Sequence, residues 1–291
     1  MDLQHLLGDI PKQRFVEEYF HRQPFSLPNS AQPLCDVVSW HLLGAMLGRG
    51  STDVMVVKAG QQRADVNPQT LEAARSLVAE GHTILVRHAE RHDEGLAALA
   101  AQFEHDFRAA VDVHVYVTPP GQFGFSWHYD AEDVFIVQTS VRKEYSLRKN
   151  TVHPWPLVET IPHDMQYPRE IMPLMRVLLA PGDWLYIPNG YWHKAEAQDG
   201  ADASISLALG VLSPSAIDLF DHLRDRLIES PVWRSRLPIT GDASPQRDGA
   251  CLAQYRELAQ FLTQDLSRAL TDEHFLSSFI NRGNGETHQR C

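Results

Sequence analysis

The chain has 291 residues, 43% hydrophobic and 22% charged, enough apolar sequence for a sizeable soluble core. A net charge of −11 makes it a poor default binder of nucleic acid, whose phosphates call for a basic surface. No apolar run approaches the roughly 20 residues that span a bilayer, the start MDLQHLLGDIPKQRF is not a secretory signal, and Cys35, Cys251 and Cys291 are too scattered for a disulfide framework or a Cys-rich zinc site, so a reducing cytoplasm is expected.

In chain order, residues 1–50 are expected to be mainly helical. Phe15, Val16, Tyr19 and Phe20 fall near helical spacing, and Pro24 and Pro28 then break the pattern. VVSWHLLGAMLGRG carries a second apolar patch. Strand-like runs follow, DVMVVKAG and HTILVRH, with a helical LEAARSLVAEG between them and another helix over 96–107. VDVHVYVTPP, DVFIVQTS, KEYSLRK, RVLLAPGDWLYIP and ASISLALGVL are β-branched or aromatic runs separated by Pro, Gly, Asn and Asp, which predicts antiparallel strands in a sandwich or barrel. VFIVQTS and KEYSL read as the two arms of a hairpin. From 213 the pattern is helical again, with Ile217, Phe220, Leu223 and Leu227 spaced by three or four. A linker, LPITGDASPQRDGA, and a helix, CLAQYRELAQFLTQDLSRAL, follow; the polar tail NRGNGETHQRC is expected to be disordered. The division predicted is a mainly β domain with N-terminal helices over 1–212 and a helical region over 213–291.

Within SWHYDAEDVF, His128 and Asp130 would share one face of a strand while Tyr129 points away. An HxD alone is commonly a strand-end polar pair. A second element, GDWLYIPNGYWH, delivers His193 after two turns. Its spacing, G-x5-P-x-G-x2-H, resembles the second motif of the cupin superfamily, except that Ala197 stands where the motif ends in Asn. Two imidazoles and one carboxylate would leave three positions of an octahedron open, which favours non-haem Fe(II) and suits a bidentate 2-oxo acid plus dioxygen. The distal carboxylate of such a co-substrate needs a cation. Lys143 is one candidate, and spacing alone does not separate it from a solvated hairpin lysine such as Lys149.

VYVTPPGQFGFSWHYDAEDVFIVQTSVRKEYSL, PGDWLYIPNGYWHKAEA and ASISLALGV together resemble the JmjC family of Fe(II)- and 2-oxoglutarate-dependent oxygenases, nearest the branch of ribosomal oxygenases and related hydroxylases. The resemblance is close over 112–212 and loose over 10–235. It implies a double-stranded β-helix, with flanking helices and the triad at one open end. It puts the metal ligands on His128, Asp130 and His193, and the co-substrate base on Lys143. The family's strand tyrosine falls on Tyr116, and hydroxyls of the last barrel strand on Ser204 and Ser206, of which Ser206 is the co-substrate candidate. Gln138 shares strand parity with Val134 and Ile136 and would line the barrel. Several positions depart from relatives: Trp127 before the HxD, Lys194 after the distal His, and His114, expected on the substrate side. The roughly 80 residues after the barrel are expected to be helices alone, without the winged-helix domain that follows in ribosomal oxygenases.

The activity implied is hydroxylation of a protein, peptide or carrier-bound amino acid, releasing succinate and carbon dioxide, by a homodimer joined through helices after the barrel. An RNA-modifying relative, with Arg142, Arg148 and Lys149 forming a basic groove, is an alternative. A non-catalytic cupin-like binding module is another, as is a simpler cupin enzyme, although cupins of that kind use three His and one Glu. The loops 60–70, 119–127 and 150–170 are expected at the barrel mouth, the last as a cover or an inert surface segment.

Overall fold

The computed structural model describes residues 2–50, 52–167, 171–237 and 245–282. In chain order its elements are α1 (Leu3–Leu7), α2 (Lys12–Glu18), β1 (Phe25–Leu27), α3 (Pro33–Val37), α4 (Trp40–Leu47), β2 (Asp53–Lys58), β3 (Gln61–Gln62), α5 (Leu71–Ala79), β4 (Thr83–Arg87) and α6 (Glu94–Phe107). Then come β5 (Ala110–Thr118), β6 (Asp133–Ser140), β7 (Lys143–Arg148), β8 (Met175–Leu179), β9 (Trp184–Ile187), β10 (Trp192–Ala197) and β11 (Ser204–Leu212), followed by α7 (Ala216–Glu229), α8 (Pro245–Leu270) and α9 (Glu273–Ile280). The chain forms two compact units, Met1–Ser213 and Pro214–Cys291.

In the first unit an eight-stranded sheet runs β1-β9-β6-β11-β5-β4-β2-β3, and a three-stranded sheet runs β10-β7-β8. Every pairing is antiparallel. The period-2 pattern of β5 sorts its side chains. Val111, Val113, Val115 and Val117 join the apolar cluster that includes Phe15, Leu43 and Phe103 of the helices. Asp112, His114, Tyr116 and Thr118 take the opposite face. β11 is sorted the same way, with Ile205, Leu207, Leu209 and Val211 toward the helices. Its other face carries Ser206, Ala208 and Gly210, residues too small to fill the space before them. A second cluster joins Val134 and Ile136 of β6 with Tyr145 and Leu147 of β7 and Leu179 of β8, so it bridges the two sheets. The result is a jelly roll whose outer face is covered by the N-terminal helices.

Two expectations are corrected. β6 and β7 do not form a hairpin: β6 pairs with β9 and β11, whereas β7 pairs with β8 and β10. The chain turns the corner from one sheet to the other at Val141, held at φ 58°. Nor does the HxD lie in a strand, because β6 starts only at Asp133. His128 is instead an isolated antiparallel bridge partner of His193. The C-terminal part of the expected linker is already helical from Pro245, and α9 extends the helical region beyond the stretch expected. Residues 238–244 of that linker, 168–170 of the long loop and 283–291 of the tail lie outside the described residues.

The second unit has its own small core in Leu223 and Phe275, with His222 stacked on Phe275 at 5.2 Å. Ser215 caps α7 in a reciprocal box with Asp218.

Candidate metal and co-substrate site

His128 and His193 exchange backbone hydrogen bonds, His128 N to His193 O at 3.1 Å and His193 N to His128 O at 2.8 Å. Directly opposed residues of an antiparallel pair point the same way, and the two rings lie 4.1 Å apart. Asp130, two residues on, comes to the same side: its Oδ2 is 3.4 Å from His193 Nε2 and 4.0 Å from His128 Nε2. Tyr129 faces away, buried edge-on to Trp192 at 4.7 Å. The turn of the second motif fixes this arrangement. Gly190, at φ 76°, donates its N–H to Asp130 O at 2.9 Å, and the Asn189 side-chain amide donates to Ala131 O. Gly190 is required twice over, because a Cβ there would also meet Pro154 O at 2.8 Å.

The donor set fits a metal ion. His128 Nδ1 sits 2.8 Å from Ser126 O and His193 Nδ1 3.0 Å from Tyr191 O. Each carbonyl can only accept, so each Nδ1 carries the proton and each Nε2 offers a lone pair. Burial, and then His128 beside it, hold His193 well below the ordinary histidine range, so its imidazole is neutral at pH 7. The three donor atoms lie within 4.8 Å of one another. Two imidazoles and one carboxylate on one side suit a divalent transition metal with open positions.

The cavity beside these donors is lined by Lys143, Thr118, Tyr145, Tyr116 and Phe125, among others. The turn between the sheets places Lys143 there, 4% exposed. Among the described residues its polar partners are hydroxyls, Thr118 Oγ1 at 3.0 Å and Ser206 Oγ at 3.5 Å, and no carboxylate pairs with it. Burial lowers Lys143 to about 7. Ser206 also hydrogen-bonds the Tyr145 hydroxyl, which burial pushes above its usual range. Ser204 takes a different course and accepts from Gln138 Nε2 at 2.8 Å. A register shift between Ile205 and Ser206 separates the two serines. Gln138 is correspondingly not a cavity residue. It is fully buried, and its amide also donates to the carbonyls of Ser140, Val141 and Ile205, tying the sheet corner to β11.

Tyr116 lines this cavity and a second chamber that also holds Asp130, His114 and Glu132. Burial, then the carboxylates of Asp130, Asp112 and Asp133, raise Glu132 to about 8. Burial holds His114 below the usual histidine value, against the opposing pull of Asp112. Trp127 stacks on Tyr167 of the long loop at 4.7 Å, away from the ligands. Lys194 lies over the Phe123 ring at 3.9 Å. Arg142 precedes β7 while Arg148 and Lys149 stand at its far end, roughly 20 Å away along a strand, so these three make no common groove. Thr118, Tyr145 and Glu132 escaped the sequence reading. Strand parity with Tyr116 and with Lys143 was the available signal for the first two.

The fold and the donor set define a class: a double-stranded β-helix, of which residues 85–219 match the family model described as the JmjC domain. The chain is 24% identical over 244 residues to the bifunctional lysine-specific demethylase and histidyl-hydroxylase NO66 of Drosophila yakuba, covering 80% of this chain and 35% of that protein. It is 28% identical over 224 residues to ribosomal oxygenase 2 of Rattus norvegicus, covering 70% and 46%. It thus spans less than half the length of these curated relatives. Among solved structures, YcfD, a ribosomal oxygenase from Escherichia coli in complex with cobalt and 2-oxoglutarate, superposes with a TM-score of 0.57 at 19% identity, covering 94% of this chain and 72% of that one. That likeness establishes the shared fold. Among the described residues no helix is long and apolar enough to cross a membrane.

Proposed function

We propose that the protein is an Fe(II)- and 2-oxoglutarate-dependent oxygenase that hydroxylates a residue of a protein, peptide or carrier-bound amino acid. The observation that carries this reading is Lys143. A buried ammonium without a carboxylate counter-ion is costly. It stands in the same cavity as a His-Asp-His donor set with open positions. A 2-oxo acid with a distal carboxylate satisfies both ends of that cavity at once. The names of the similar proteins, histidyl-hydroxylase and ribosomal oxygenase, point the same way.

In this reading His128, Asp130 and His193 hold Fe(II), and their Nδ1–H groups, anchored on backbone carbonyls, fix the ring planes. The iron supplies activation of dioxygen coupled to decarboxylation, so that 2-oxoglutarate, dioxygen and a substrate C–H become succinate, carbon dioxide and C–OH. Lys143 pairs with the C5 carboxylate, with the Thr118 and Ser206 hydroxyls completing its hydrogen bonds. Tyr116 closes the wall between co-substrate and substrate sides. The chain works in the cytoplasm, where its free thiols Cys35 and Cys251 stay reduced. It acts as a homodimer through the second unit, where Phe220, Phe261 and Ile280 are each about half exposed.

The direct test is turnover. Fe(II)-loaded protein in air should convert 2-oxoglutarate to succinate, followed by proton NMR, and His193→Ala should abolish the conversion. A peptide substrate would then gain one oxygen atom by mass. Succinate formation that persists in His193→Ala would remove the triad from the reaction.

A further inference from the structure

Asp133 opens β6, three residues after the ligand Asp130, and is only 1% exposed. A carboxylate taken out of water needs partners, and both of its oxygens have them. Oδ1 accepts from the Tyr186 hydroxyl of β9 and from the Asn189 backbone N–H at 3.3 Å. Oδ2 lies 2.9 Å from His21 Nδ1, which carries the proton because the carboxylate can only accept.

Asn189 belongs to the turn that delivers His193. Three contacts fasten this turn to the segment that carries Asp130. Gly190 N–H donates to Asp130 O, the Asn189 side-chain amide donates to Ala131 O, and Asn189 N–H donates to Asp133 Oδ1. The first two end on main-chain carbonyls, which any sequence supplies. The third depends on the side chain at 133.

The far end of the network is the turn after α2. His21 is held at φ 59°, a costly conformation for a residue with a Cβ. In that conformation one residue makes two contacts: its N–H donates to the Tyr186 hydroxyl at 2.8 Å while its ring reaches Asp133. The next carbonyl, Arg22 O, accepts from the Tyr191 hydroxyl at 3.2 Å. Tyr191 O is the acceptor that orients the His193 ring. The strained turn therefore braces both Asp133 and the residue that aims the distal ligand.

We infer that Asp133 is a positioning residue of the metal centre: through Asn189 it sets the separation of Asp130 from His193, and His21 and Tyr186 hold it in place. This rests on the metal site of the oxygenase reading above. Asp133 acts on the ligands only through the backbone of the two segments that carry them.

The test uses the full chain with Mn(II), binding followed by calorimetry, and with Co(II), whose visible d–d bands report the ligand geometry. Wild type should bind one ion per chain. Asp133→Ala should bind Mn(II) at least about tenfold more weakly and shift the Co(II) bands, as loss of an outer-shell support does. Asp133→Asn, which keeps an acceptor for the Asn189 N–H, should recover most of both. His21→Gly, which keeps the turn's conformation and removes only the half-exposed ring, should move both in the same direction by a smaller factor, and it carries the test if Asp133→Ala does not fold. Lys12→Ala is the control for a merely structural role. It strips another buried carboxylate, Asp106, of its ion pair in the helical layer, and should lower the melting temperature without changing metal affinity or the Co(II) bands. Wild-type affinity and bands in folded Asp133→Ala, or in His21→Gly, would overturn the assignment, as would an equal loss of metal affinity in Lys12→Ala. A wild type that binds no ion would contradict the metal site itself, and with it the oxygenase reading, whereas normal metal binding by wild type and variants alike contradicts Asp133 alone.

Discussion

Lys143 carries the most distinctive physical signature of any single residue in the site. Burial lowers it to about 7, below the ordinary lysine value of 10.5. Between those two values the unfolded chain holds a proton that the folded protein without co-substrate does not, so this group adds stability as pH rises through that window. Co-substrate binding has the opposite sign. The C5 carboxylate requires the ammonium, so above pH 7 each binding event takes up a proton. Affinity for 2-oxoglutarate should fall about tenfold per pH unit above 7, until the raised value of the complex is reached. Lys143→Arg, which stays charged, should flatten that slope; calorimetry across pH 6.5–9 reads both. The metal ligands were legible in the sequence because HxD and G-x5-P-x-G-x2-H are local patterns. Lys143 was legible only through family resemblance, since its burial depends on where the chain crosses between sheets.

At the level of elements, the long loop after β7 is stapled to the metal-bearing segments. Trp127 and Tyr167 stack at 4.7 Å, Tyr167 meets Trp192 edge-on at 5.1 Å, and the Tyr129 N–H points to Met165 Sδ at 3.3 Å. Asn189 also reaches Pro156 O at 3.5 Å. Pairs of this kind contribute on the order of 1 kcal/mol each beyond area burial. Trp127→Ala should therefore raise amide exchange in residues 150–167 several-fold while leaving β5 and β11 protected. Unchanged exchange in the loop would show that the stack does not hold it. Most strands were legible from β-branched runs. The false hairpin arose because a short Ser-Val-Arg connection between two such runs looks alike whether the strands pair or part. β10 was not among the expected strands because its sequence, WHKAEA, is mostly polar or small, and the backbone pairing with β7 that makes it a strand is non-local.

For the whole molecule, the open question is what the helical unit adds to the jelly roll. The division near 213 was visible where strand alternation gives way to helical spacing. α9 was passed over because its run is short and adjoins the polar tail. Exposed apolar side chains on α7, α8 and α9 support self-association. Light scattering at micromolar concentration should give twice the mass of 32.9 kDa, and Phe220→Asp with Phe261→Asp should return it to one chain. A monomeric wild type would contradict the dimer. The central claim, that one cavity holds both Fe(II) and 2-oxoglutarate, is tested most directly by adding 2-oxoglutarate anaerobically to Fe(II)-loaded protein and recording the visible metal-to-ligand charge-transfer band. A saturable band is expected, lost in Asp130→Ala and shifted to at least about thirtyfold weaker affinity in Lys143→Ala, since truncating one partner of a buried charge pair costs about 2–5 kcal/mol. Iron bound without any such band, or a band indifferent to Lys143, would contradict it.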